Sequence, residues 1–184
     1  MQRQQVIWEL HSSEAEFVNR LHTTVDLFIL PLRAQNSKTW ILGVPPEVAR
    51  LFDWLEDIVN LHTEILSILH SARDSQYPVI VNIAETLKCI VPRLEVYQPY
   101  LVRLEHVAGM VGRSLQDQDG NDFGEFVKIQ EKAAIRECGN GWGLERLLVE
   151  PVNRLAAYPD ILRVSLQCSY EFFSPSFESR SYTC

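Results

Sequence analysis

No stretch of this sequence approaches the ~20 consecutive apolar residues that a membrane-spanning helix needs, so direct membrane insertion is not expected. The opening MQRQQVIWELHSSE places Glu and polar residues where a secretory leader needs an apolar centre. Basic residues are in deficit: 17 Lys and Arg stand against 24 Asp and Glu, a formal net charge of −7. That balance repels phosphate backbones, and no basic stripe offsets it, so nucleic acid is not an expected partner. A protein partner carrying basic patches suits the charge better. Cysteine is scarce and scattered (Cys89, Cys138, Cys168 and Cys184) with no CxxC pair, which fits reduced thiols in a cytoplasmic protein.

What is present is a globular composition, 46% hydrophobic and 22% charged, in 184 residues, enough for one domain or one domain with a tail. Its apolar residues recur with a helical period. Ile7, Leu10, Phe17, Leu21, Val25 and Phe28 form one stripe, with Glu9, Ser13, Glu16 and Arg20 on another face, so a helix is predicted over 4–30, kinked or ended by Pro31. A loop follows over 34–43. Pro45 and Pro46 open a second helix whose stripe runs from Val48 to Leu69 and includes His62. A polar turn is predicted over 71–78, then a third helical stretch over 80–111, bent or split at Pro92. A loop over 114–121 ends in Asn121, a candidate N-cap for a helix over 122–137. The glycines of 138–143 break that helix, and a last one covers 144–167 with Pro151 inside it. The fold class is all-α, an elongated bundle of long, kinked helices over 1–168, with an irregular, Ser- and aromatic-rich tail over 169–184.

Conventional chemical sites are hard to find. Gly139-Asn140-Gly141-Trp142-Gly143 has no strand before it and no phosphate-binding Lys after it, so it reads as a turn. His62-Thr63-Glu64 lacks the second His of a zinc helix, and Asp117 to Gly120 lacks the closing Glu of a calcium loop. Nothing in the sequence pairs Cys138 with His106 as nucleophile and base. No metal and no cofactor is expected, and the protein surface becomes the candidate active device.

Four segments, in order, resemble the Dbl-homology module of Rho-type guanine-nucleotide exchange factors. VIWELHSSEAEFVNRL (6–21), continued by FILPL (28–32), is similar to that family's opening helix and its proline-broken end. LFDWLEDIVNLHTEILSIL (51–69) carries the Phe, acidic-Ile and Leu-His pattern of its second helix. EVYQPYLVRLEHVAGMV (95–111) resembles its Tyr-x-x-Tyr helix, and LERLLVEPVNRLAAYPDILRVSL (144–166) its signature Pro-x-Gln-Arg…Tyr-Pro helix. The resemblance covers roughly 2–168.

It implies a regulator that makes and breaks no covalent bonds. Such a module binds a Rho-family small GTPase through its switch regions, prefers it empty, and by linkage loosens its GDP and Mg²⁺. On that resemblance Glu9 matches the carboxylate that engages the first switch loop, and Ser13 lies one turn further on the same face. Asn153 and Arg154 fall where Gln-Arg is usual and are expected to face the second switch or the first helix. Ala157 replaces the basic residue that normally precedes Tyr-Pro, and an alanine cannot donate to the GTPase. The chain also departs from the family in its ending, because the last helix normally runs on and is commonly followed by a pleckstrin-homology domain. The alternative is therefore a degenerate module that scaffolds a GTPase without exchanging its nucleotide.

Overall fold

The computed structural model describes residues 2–34, 39–41, 43–77, 79–80, 88–116, 122–139 and 141–170. Five α-helices account for most of them: α1 (Gln2–Thr24), α2 (Pro46–Gln76), α3 (Tyr97–Gln116), α4 (Asp122–Cys138) and α5 (Leu144–Tyr170). The described residues contain no strand, only an isolated antiparallel bridge between Arg33 and Trp40.

The expected stripes are the buried ones. Ile7, Leu10, Phe17, Leu21 and Phe28 pack with Leu51, Phe52, Leu55, Ile58 and Ile65 in one continuous core. Fully burying each such side chain contributes about 1.5–3 kcal/mol. The helix α1 packs on both α2 and α5, and α3 packs on α2, α4 and α5. The first and last long helices therefore lie side by side.

Proline and glycine shape the breaks. After Thr24 the backbone widens into a π-helical turn (Val25–Ile29), then tightens into a 3-10 turn (Leu30–Leu32) that holds Pro31. Several helical boundaries differ from the sequence reading, and α1, expected to reach residue 30, ends as an α-helix at Thr24. The α2 helix continues to Gln76, through most of the predicted turn at 71–78, because Leu69 and Ala72 still have core to bury. The stretch over 80–111 is split at Pro92, as expected: Val91–Val96, with Pro92 in its first turn, is a 3-10 helix, and α3 runs from Tyr97 to Gln116, past the predicted end at 111. Proline has no N–H to give to an α-helical ladder, so it starts a helix here instead of sitting within one. Residues 81–87, the candidate N-cap Asn121, the 117–120 segment and residues 171–184 lie outside the described residues. The last helix reaches Tyr170, past its expected end at 167, and runs through both Pro151 and Pro159. Gly139 and Gly141 have φ of 85° and 105°, left-handed values that favour glycine, and they stand between the end of α4 at Cys138 and the start of α5 at Leu144, where a helix break was expected.

Candidate functional site

The α1–α5 seam is built from charged side chains of both helices. Arg20 donates two bonds to the Glu150 carboxylate through Nε, at 3.0 and 2.9 Å, and a third through its terminal amine. Its guanidinium also stacks 4.8 Å from the centre of the Trp142 ring. Two turns away, Arg154 donates to Ser13 Oγ at 3.1 Å and to Glu14 Oε2 at 3.0 Å. Residues ascend along α1 as they descend along α5, so the two helices run antiparallel.

Glu14 is the hub of this seam. Its side chain is wholly buried, on the same stripe as Leu10 and Phe17. Besides Arg154, it accepts from the Tyr158 hydroxyl at 2.8 Å and from His62 Nδ1 at 2.5 Å. A carboxylate can only accept, so His62 Nδ1 carries the proton; its Nε2 meets the Tyr97 hydroxyl at 2.6 Å. The Phe17 ring closes the cluster edge-on, 4.8 Å from the imidazole. Burial pushes the Glu14 carboxyl upward, but the His62 hydrogen bond and the Arg154 charge outweigh it and hold the group below the ordinary carboxylate range. Burial and the Glu14 charge push the Tyr97 and Tyr158 hydroxyls up, so both keep their protons. One ionised carboxylate thus joins α1, α2, α3 and α5, with its charge matched by a guanidinium whose side chain is only 9% exposed.

The five residues singled out from the sequence occupy this seam in different ways. Arg154 turns to the first helix, bound by Glu14 and Ser13. Ser13 is half-buried beneath it and also donates to the Leu10 carbonyl. Glu9, one turn before Ser13, is exposed and accepts only from its helical neighbour Gln5, at 3.0 Å. Asn153 is exposed beside Arg154, and Ala157, one turn on, is half-buried. Positions 150, 153, 154 and 157 form one face of α5, and 9, 13, 16 and 20 form one face of α1. The Arg20–Glu150 and Ser13–Arg154 bonds join these two faces. The sequence reading placed His62 in the apolar stripe but gave no role to Glu14, Tyr97 or Tyr158, although a Glu within a stripe of Leu and Phe is a legible sign of buried pairing.

Among the described residues no group of three or more His, Cys, Asp or Glu is placed to hold a metal, and no helix is long and apolar enough to cross a membrane. The described residues form an all-α bundle whose first and last long helices are locked together. Its fold is that of the corresponding part of a solved structure concerned with the structural role of the PH and C1 domains of the Vav1 exchange factor. The TM-score is 0.73, at 18% identity, covering 90% of this chain and 41% of that one. The activated truncation of Vav1 aligns equally well, with a TM-score of 0.73.

The RhoGEF domain family matches residues 6–174, and the chain belongs to that family. It is 29% identical over 160 residues to protein ECT2 of Homo sapiens, covering 83% of this chain and 16% of that protein. It is 30% identical over 156 residues to Ras-specific guanine nucleotide-releasing factor 1 of Mus musculus, covering 85% of this chain and 12% of that protein. The chain therefore spans a sixth or less of the length of these relatives.

Proposed function

We propose that this domain promotes GDP release from a Rho-family small GTPase in the cytoplasm by binding its switch regions, with no covalent chemistry of its own. Supporting this reading is an exposed carboxylate, Glu9, one turn from a seam that cannot easily shift, because Ser13, Glu14 and Arg154 bind across it. A fixed acceptor suits a loop that offers hydroxyl and backbone N–H donors, and charge-assisted bonds of this kind are the stronger ones. Exchange requires that such bonds be stronger once the nucleotide is leaving than before. Asn153, exposed next to Arg154, is the second proposed contact, and Ser13 buttresses the seam between them.

A specific residue supports a second reading. Ala157 offers no donor where the family has a basic side chain, so a scaffold that binds a GTPase without emptying it remains the competing role. Release of a fluorescent GDP from a panel of Rho-type GTPases separates the two. Acceleration by the wild type that is lost in Glu9→Ala supports exchange. Binding without acceleration supports the scaffold, and no binding to any member of the panel rejects both.

A further inference from the structure

On the flank of α1 that faces α2, the molecule exposes an aromatic patch. Trp8 is 66% exposed, Tyr77 at the end of α2 is 83% exposed and Val79 is 51% exposed. Trp8 and Tyr77 border a groove of about 250 Å³ lined also by Ile7, Ile80, His11 and Arg73. Single exposed apolar residues are ordinary, but a clustered Trp and Tyr at the rim of a groove is the composition of an interface anchor. The groove also holds an unsatisfied polar atom. His11 Nε2 is buried and has no hydrogen-bond partner, the only such side-chain nitrogen or oxygen among the described residues. The ring packs edge-on to His70, with centroids 4.4 Å apart. Burial, with His70 and Arg73 nearby, holds its pKa below the ordinary histidine value, so no charge compensates the missing bond. Buried polar atoms without partners are rare, and this one belongs to a residue that lines the groove.

The groove adjoins Glu9, the proposed GTPase contact. Trp8 is the residue before Glu9, so their Cα atoms are about 3.8 Å apart. A standard protein interface covers about 800 Å² on each partner, which is a disc of roughly 16 Å radius. A GTPase seated on Glu9 with an interface of that size reaches Trp8. We infer that the Trp8–Tyr77 groove is part of the docking surface for the same small GTPase, with Trp8 as its anchor and a determinant of which GTPase is accepted. This rests on the function proposed above.

The chemistry assigns Trp8 a role separate from that of Glu9. Successive helical residues are turned by about 100°, so Trp8 points away from the α1–α5 seam and toward α2. A contact there is the same whether the nucleotide is bound or leaving. Such uniform binding lowers KM and leaves kcat alone, whereas a switch-loop contact acts on kcat.

The test is a steady-state GDP-release series on the GTPase that the wild type accelerates most, using Trp8→Ala, Tyr77→Ala and Glu9→Ala, with helicity checked by circular dichroism. At 83% exposure Tyr77 has little packing to lose, so Tyr77→Ala keeps the test informative if Trp8→Ala folds poorly. The expected result is a KM raised about tenfold or more for Trp8→Ala, and raised in the same direction for Tyr77→Ala, with kcat within about twofold of wild type. The ranking of GTPases across the panel is expected to change as well. Unchanged KM and ranking in both variants, while Glu9→Ala still abolishes release, would overturn this inference and leave the proposed function standing. Sedimentation showing that the wild type self-associates through Trp8, with KM unaffected, would also overturn it in favour of a second copy of the chain. A wild type inert toward every GTPase would overturn the proposed function itself, and this inference with it.

Discussion

Replacing Glu14 by Gln keeps the shape of the side chain and removes its charge. Around it remain the Arg154 guanidinium, 9% exposed, the Tyr158 hydroxyl and the His62 Nδ1–H, all aimed at a group that now also carries donors. Breaking a buried ion pair by neutralising one partner costs about 3–5 kcal/mol, because the other charge stays buried without compensation. For a domain of this size each kcal/mol shifts the melting temperature by about 2–4 °C, so Glu14→Gln is expected to melt about 6–20 °C below wild type. Thermal unfolding followed by far-ultraviolet circular dichroism reads this directly. Adding Arg154→Met removes the orphaned charge, so the double variant is expected to be more stable than Glu14→Gln alone. The pH dependence carries the same signature. The folded Glu14 carboxyl is held below its unfolded value of about 4.3. Its contribution is therefore complete above that pH and is lost as pH falls through the folded pKa. That part of the acid-side loss is expected to vanish in Glu14→Gln. A melting temperature within about 2 °C of wild type, with the acid profile unchanged, would refute the view that a charged hub ties the four helices.

Two further outcomes follow from particular residues. Ala157→Lys restores a donor on the face of α5 that carries Asn153, and is expected to raise GDP release or GTPase affinity about tenfold or more; no change in either, measured by stopped-flow and calorimetry, would place position 157 outside the contact. In α4, a Cβ built on Gly124 would lie 2.1 Å from the Ser114 carbonyl oxygen of α3, a backbone atom that cannot rotate away. Gly124→Ala is thus expected to force the helices apart at a cost of about 1–3 kcal/mol, lowering the calorimetric melting temperature by about 2–12 °C, and a shift under 1 °C would show that α3 and α4 separate freely.

Much of the fold was legible because helical periodicity is a local property. The stripe Ile7, Leu10, Phe17, Leu21, Phe28 and the stripe from Val48 to Leu69 fix which faces of α1 and α2 are buried, whatever they pack against. Likewise the glycines at 139 and 141 act on their own backbone dihedrals, so the break before α5 could be read residue by residue, whereas α1 ends at Thr24, seven residues before the proline expected to stop it. The helix boundaries that differed are those set by neighbours. How far α2 runs depends on whether Leu69 and Ala72 have something to cover, and where α3 starts depends on how the chain re-enters the bundle after Pro92.

Within the site, the sequence alone determined that Glu9 and Ser13 share a face of one helix and that 150, 153, 154 and 157 share a face of another. Only the tertiary structure decided that these faces meet, that Arg154 turns inward to Glu14 instead of outward, and that His62 reaches Tyr97 and Glu14 at once. It alone brought Trp8 to Tyr77, 69 residues away in the chain, around an unsatisfied His11. Periodicity constrains the direction of a side chain relative to its own helix axis. Which side chain stands opposite is set by how whole helices pack, and no local pattern carries that information.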